Sequence, residues 1–371
     1  MKLKKLFAGI VAVAMMATMG ATSVFATVTP SAPTDNKVAI KKVITGNGYG
    51  SETVMLEVEN DGKAVLVKHS FYTTANAPTI SVAEANGVTI TETSGKTAEG
   101  DLHIQLPTYT RVGTYVYKFK EAAGDTAGMT YDTADKWLLV NVYNKVTDGE
   151  IDENAALQVN AVVLNADPTN ALNAEDRSGL SALKIDQIDN KYEAGTYTVK
   201  KLVKGNMSDR EKEFNFKVTF EKAENATIPG IKVGNDTLNL TWNKITNDSG
   251  EKKEAATYEF TLKHGEEKKF ENIPYGVKVS VVELTDSKAA LTETDGKLTN
   301  GEYEVIYEDK SNAATEINKE KANVTATIIN DSQVNVNTGV ILDNAPYIAL
   351  LTIVAAGAVV MILKKRRSYE D

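Results

Sequence analysis

The chain has 371 residues, 42% of them hydrophobic and 25% charged, an ordinary globular balance with room for about two or three domains of roughly 100–200 residues. Cysteine is absent and histidine occurs only at His69, His103 and His264. This excludes disulfide frameworks, thiolate metal sites and cysteine nucleophiles, and leaves no metal-ligand spacing and no histidine-activated serine, so no cofactor or metal is expected. A formal charge of −9, more negative still once both chain ends are set aside, excludes a nucleic-acid binder with its basic stripe.

At the N-terminus, Lys2, Lys4 and Lys5 precede an apolar run from Leu6 to Met19, and Val24-Phe25-Ala26 supplies the small residues of a cleavage site. That order predicts a secretory signal peptide over 1–26, with Thr27 as the new first residue and a linker over 27–35. The chain is therefore expected to be exported.

Beyond it the strand period replaces the helical one. Val38-Ala39-Ile40, Thr114-Tyr115-Val116-Tyr117, Trp137 to Tyr143 and Thr196-Tyr197-Thr198-Val199 are β-branched or aromatic runs, punctuated by turns such as Asn60-Asp61-Gly62 and Thr294-Asp295-Gly296. Short strands without intervening helices predict an all-β fold, two tandem Ig-like β-sandwich domains over 36–190 and 191–334. An internal repeat supports the division. Ile40-Lys41-Lys42-Val43-Ile44-Thr45-Gly46 resembles Val199-Lys200-Lys201-Leu202-Val203-Lys204-Gly205, the strand ending in Glu121 resembles the one ending in Glu283, and Ile188-Asp189-Asn190 resembles Ile328-Ile329-Asn330. The joint, about 191–195, is short enough for the domains to stack end to end.

The C-terminal segment 335–371 opens with Asn335-Val336-Asn337-Thr338-Gly339, runs through a nearly uncharged stretch over 345–363, and ends in a basic tail, 364–371, that starts Lys364-Lys365-Arg366-Arg367. Nineteen residues at about 1.5 Å each reach roughly 28 Å, enough for a membrane-spanning helix, with the basic cluster on the cytoplasmic side. Thr-Gly, an apolar span and a basic tail form the layout of a Gram-positive sortase signal. Thr338–Gly339 is the expected cut, although Asn337 stands where such motifs carry proline.

Side chains on a strand alternate faces, so Lys42 points with Val38 and Ile40, Glu121 with Tyr115, Tyr117 and Phe119, and Asn190 with Ile188. Lys201, Glu283 and Asn330 repeat the arrangement in the second half. Each half thus directs a lysine, a glutamate and an asparagine toward its core, where isolated charges are costly and must be paired or neutral. An apolar site lowers the lysine pKa and raises that of the glutamate. A neutral amine can then attack the asparagine carboxamide while the glutamate, as catalyst, shuttles protons and ammonia leaves. The expected product is an intramolecular isopeptide bond across the sandwich.

Together with Tyr197-Thr198-Val199-Lys200-Lys201, Asp209 to Phe216, Tyr258 to Gly265, Asn272-Ile273-Pro274-Tyr275-Gly276-Val277 and Tyr131-Asp132, these features resemble the backbone pilins of the streptococcal T-antigen type. The resemblance implies bonds Lys42–Asn190 with Glu121 and Lys201–Asn330 with Glu283. It further implies a structural pilus subunit on the cell wall of a Gram-positive bacterium, membrane-anchored as a precursor. Its partners would be a sortase, identical subunits, minor pilins and peptidoglycan, with any host ligand unspecified. Thr338 would be joined to a lysine of the next subunit, Lys184 or Lys145. Turnover of an external substrate is not expected: there is no nucleophile elbow or H-E-x-x-H motif, and Gly46-Asn47-Gly48-Tyr49-Gly50 lacks the lysine of a phosphate loop. The competing reading is a monomeric wall-anchored adhesin or minor pilin.

Overall fold

The computed structural model describes residues 35–332, except 94–96, 148–149, 153–154, 175–178, 207 and 248. The expected signal peptide, Thr338, Gly339, the apolar span and the basic tail lie outside the described residues.

Alternating apolar residues in the first half of this segment build two facing sheets. One has the strand order Ser81–Val82, Thr97–Gln105, Lys37–Thr45, Gln187–Tyr192, Met129–Thr130. The other runs Gln158–Leu164, Lys136–Tyr143, Gly113–Glu121, Leu56–Val58, with Leu66–Lys68 also paired to Gly113–Glu121. Ile40, Leu102, Tyr115, Tyr117, Phe119 and Leu138 fill the space between them. The strand Gly113–Glu121 is buried on both faces over most of its length, beyond what one-sided alternation predicts. Two five-residue helices, Thr169–Asn173 and Gly179–Leu183, account for this by laying Leu172 and Leu180 near Val116, Leu139 and Leu164 on the outer side. Helices this short leave no 3.6-residue period in the sequence.

The second half repeats the plan with one wider sheet. Ala194–Gly205 and Asn323–Ser332 sit side by side in the middle of an eight-stranded sheet, flanked by Glu267–Pro274 and Tyr303–Tyr307. Facing them is a five-stranded sheet centred on Lys252–Leu262, Phe214–Ala223 and Lys278–Leu284. Phe214, Phe216, Phe220, Phe270, Val279 and Ile328 form its core.

In both sandwiches the first strand, which carries the lysine, pairs in parallel with the last, which carries the asparagine, and the register is the same. Lys42 is opposite Ile188 and Ile44 opposite Asn190; Lys201 is opposite Ile328 and Val203 opposite Asn330. The lysine and the asparagine are therefore offset by two residues on one face, the closest diagonal that the pleat allows. The repeated glycine ends each lysine strand at an equivalent place. Gly46 (φ +112°) and Gly205 (φ +95°) lie so near the end of the asparagine strand that an added Cβ would fall 2.2 Å from the Tyr192 carbonyl oxygen and 2.5 Å from that of Ser332.

The sandwiches join through Tyr192, Glu193 and Ala194. The Glu193 N–H donates to Gly128 O, the Tyr275 N–H to Glu193 O, and Thr227 exchanges backbone bonds with Asp125 and Ala127. Asn272 clamps the seam: its Nδ2 donates at 2.8 Å to both Gly48 O and Gly230 O, and its Oδ1 accepts from the Tyr192 hydroxyl. The Gly46-to-Gly50 segment is thus part of the joint. Because each lysine strand and its partner run parallel, the first pair ends at the joint and the second pair starts there. Lys37 marks one pole of the molecule and Ser332 the other.

Gly46→Ala and Gly205→Ala should each lower the calorimetric melting temperature about 2–4 °C more than Gly234→Ala. Gly234 shares the positive φ but has open space around it, so the difference isolates the contact with the asparagine strand.

Candidate functional site

The strands bring the six core polar residues into two triads. Lys42 and Lys201 have no exposed surface, and Glu121, Glu283, Asn190 and Asn330 are exposed by 1% or less. In the first sandwich Lys42 Nζ donates to Glu121 Oε2 at 2.6 Å and Asn190 Nδ2 donates to Glu121 Oε1 at 2.6 Å. In the second, Lys201 Nζ donates to Glu283 Oε2 at 2.8 Å, Asn330 Nδ2 to Glu283 Oε1 at 2.7 Å, and Lys201 Nζ also meets Asn330 Oδ1. Each glutamate thus turns one oxygen to the amine and the other to the carboxamide nitrogen. One expectation needs correction. Lysine and asparagine lie on adjacent strands of the same sheet, so a bond between them would run along the sheet, while only the glutamate reaches over from the facing one. Strand phase gives the face of a side chain, and pairing decides which sheet holds it.

The surroundings favour uncharged forms. Burial pulls the Lys42 amine below its ordinary range against the opposing pull of Glu121, and burial likewise pushes the Glu121 carboxyl up against Lys42. Burial lowers Lys201 to about 8, with the Phe214 and Phe216 ring centroids 4.2 and 5.6 Å from its Nζ. A lysine so placed is partly a free amine near neutral pH and hence a nucleophile.

Three further residues complete the sites. The Asp132 backbone N–H donates to Asn190 Oδ1 at 2.9 Å, and the buried Lys136 holds the Asp132 carboxylate at 2.8 Å. In the second sandwich the buried Asn300 donates to Glu283 Oε1 at 2.7 Å. None was found by sequence reasoning. Tyr131-Asp132 carried only a family likeness, and Asn300-Gly301 reads as an ordinary turn pair. Among the described residues no group of histidine, aspartate and glutamate could hold a metal ion.

Of the two lysines considered as external acceptors, Lys145 sits at the pole away from the second sandwich, whereas Lys184 lies partway along the first sandwich, at the level of Trp137 and Lys118. Lys145 is exposed just past Lys136–Tyr143, whose end pairs with the beginning of Gly113–Glu121. Lys184 follows the helix Gly179–Leu183, bridges Leu164 and is half-buried; that burial lowers its pKa.

Each of the two tandem β-sandwiches pairs its first strand with its last around a buried Lys–Glu–Asn triad, in which one carboxyl group touches both an amine and a carboxamide. Residues 38–179 match the family model described as the Spy0128-like isopeptide containing domain, and residues 195–332 match Domain of unknown function (DUF7601). A pilin of Streptococcus pyogenes serotype M1 is 29% identical over 290 residues, covering 73% of this chain and 72% of its own. The crystal structure of the major pilin from Streptococcus pyogenes is 22% identical, with a TM-score of 0.41, covering 81% of this chain and 99% of that one. The T3.2 major pilin of the same species is 18% identical, with a TM-score of 0.39, covering 81% and 98%. The first sandwich is thus similar to the Spy0128-like isopeptide containing domain, and most of the chain is similar to a streptococcal pilin.

Closure of the second bond in freshly refolded chain should accelerate as pH is raised through about 8, where Lys201 gives up its proton, as read by intact-protein mass after timed acid quenches.

Proposed function

We propose that this chain is a structural pilus subunit, reinforced by Lys42–Asn190 and Lys201–Asn330 isopeptide bonds that it forms itself and linked to its neighbours by a sortase. The observation that carries the first part is the placement of each glutamate between an amine and a carboxamide. The lysine Nζ adds to the asparagine Cγ and the Cγ–Nδ2 bond breaks. The glutamic acid gives a proton from Oε1 to Nδ2 while Oε2 takes one from Nζ, so one ammonia leaves and the glutamate is unchanged. In the first sandwich the Asp132 N–H is directed at the oxygen on which negative charge develops.

The polar layout supports head-to-tail assembly. Ser332 ends the second sandwich at one pole, and the six residues from there to Thr338 can reach about 20 Å. Lys145 occupies the opposite pole, and Lys184 lies partway along the first sandwich. A sortase that cuts Thr338–Gly339 would join the tail of one subunit to the head of the next. On this reading the membrane-anchored precursor, the sortase and the final attachment to peptidoglycan follow from the sorting signal. A pilus can also carry minor pilins.

The purified body, about 27–338, should weigh two ammonia molecules less than its sequence. Lys42→Ala, Asn190→Ala and Glu121→Ala should each restore one, as should Lys201→Ala, Asn330→Ala and Glu283→Ala, by intact-protein mass spectrometry. The second bond spans 129 residues, so its loss should cost roughly 5 kcal/mol in a loop-entropy model, visible as a lower melting temperature and faster trypsin cleavage.

On cells, the parent chain should give an SDS-resistant ladder in cell-wall blots, and Lys184→Ala or Lys145→Ala should abolish it. A parent chain that stays a single wall-anchored band would instead identify a monomeric surface protein.

A further inference from the structure

Resting on the amide-transfer reading, we propose that Asn300 is a positioning residue of the second site, which aims the proton of Glu283 at the leaving nitrogen of Asn330. Asn300 is 3% exposed and lies in the core, where a leucine would serve better as filler. Its Nδ2 donates at 2.7 Å to Glu283 Oε1 and at 3.2 Å to the backbone carbonyl of Leu284, tying the carboxyl group to its own strand. Glu283 Oε1 also accepts from Asn330 Nδ2 at 2.7 Å.

A carboxyl oxygen has two lone-pair directions. Asn300 occupies one on Oε1, and the other faces Asn330 Nδ2. A proton carried on Oε1 is therefore directed toward Nδ2. Once Nζ has added to Cγ, Nδ2 is an amine that can accept that proton and depart as ammonia. The same hairpin brings both partners into place, since Asn300 ends Lys297–Asn300 and the following strand sets Val305 opposite Asn330. In the first sandwich the additional donor is spent on the other reactant, with the Asp132 N–H on Asn190 Oδ1. The two sites thus share a reaction and differ in which partner is held.

The test follows each closure separately. Body chain isolated unreacted in denaturant is refolded by dilution and quenched at intervals, and peptide mass spectrometry scores each bond. The parent closes both; a parent that keeps its full mass refutes the amide-transfer reading itself, and with it this role for Asn300. Asn300→Leu, of similar size but without a donor, should close the second bond about tenfold more slowly while the first closes at the parental rate. Asn300→Gln, which keeps the amide donor, should recover part of the loss. Parental closure in Asn300→Leu, or equal slowing in both variants, overturns the proposal. Melting temperatures of the same variants in a Lys201→Ala background, where no second bond can close, separate folding from closure. A slowing that merely tracks lost folding there would overturn it too.

Discussion

The structure is organised around the cost of placing an ammonium and a carboxyl group where water cannot reach them. Each such ion carries an effective penalty of several kcal/mol, and a lysine with no exposed surface is tolerable only beside groups that match it hydrogen bond for hydrogen bond. Lys42 is held by Glu121, and Lys201 by both Glu283 and Asn330. The same desolvation favours the neutral Lys42 amine, the neutral Glu121 carboxyl and the neutral Lys201 amine, and the neutral amine is the reactive form. Conversion to an amide would remove the amine from this balance permanently, leaving the glutamate carboxyl as the one ionisable group of each triad.

Much of the surrounding fold serves that placement. Parallel pairing of first and last strands at a two-residue offset puts the lysine beside the asparagine in both sandwiches. The glycines at 46 and 205 let each lysine strand turn away beneath the carbonyl of the strand next to it. Aromatic rings wall the second site, and in the first the ion pair of Lys136 with Asp132 steadies the loop whose N–H faces the carboxamide oxygen.

The triads could be read from the sequence because a period of two is robust: a charged residue in phase with Tyr115, Tyr117 and Phe119 has to share their face. The Lys-Lys-…-Gly repeat was legible for a similar reason, since both copies solve the same steric problem. Pairing was not legible. Nothing in Ile188-Asp189-Asn190 says whether its neighbour is the lysine strand or a strand across the core, so the direction of the bond was misjudged. The outer cover of Leu172 and Leu180 comes from helices of a single turn, below the length at which periodicity speaks. Asn300 was hidden because Asn-Gly is so strong a turn signal that its burial could not be anticipated, and Asp132 contributes a backbone N–H, which no side-chain pattern encodes.

The parallel partnership of first and last strands also sets a schedule. No sandwich can complete its central sheet until its final segment has been made, 129 residues after the lysine in the second case. Long-range parallel pairings form slowly and leave sheet edges open while the chain waits. Each half therefore spends its early life with a lysine strand lacking its neighbour, open to a wrong strand. A reaction that requires the asparagine to arrive in register, with the glutamate opposite, would proceed only in the correctly assembled sandwich. Each covalent closure would then act as a proofreading step, making permanent only those chains whose last strand had found its place.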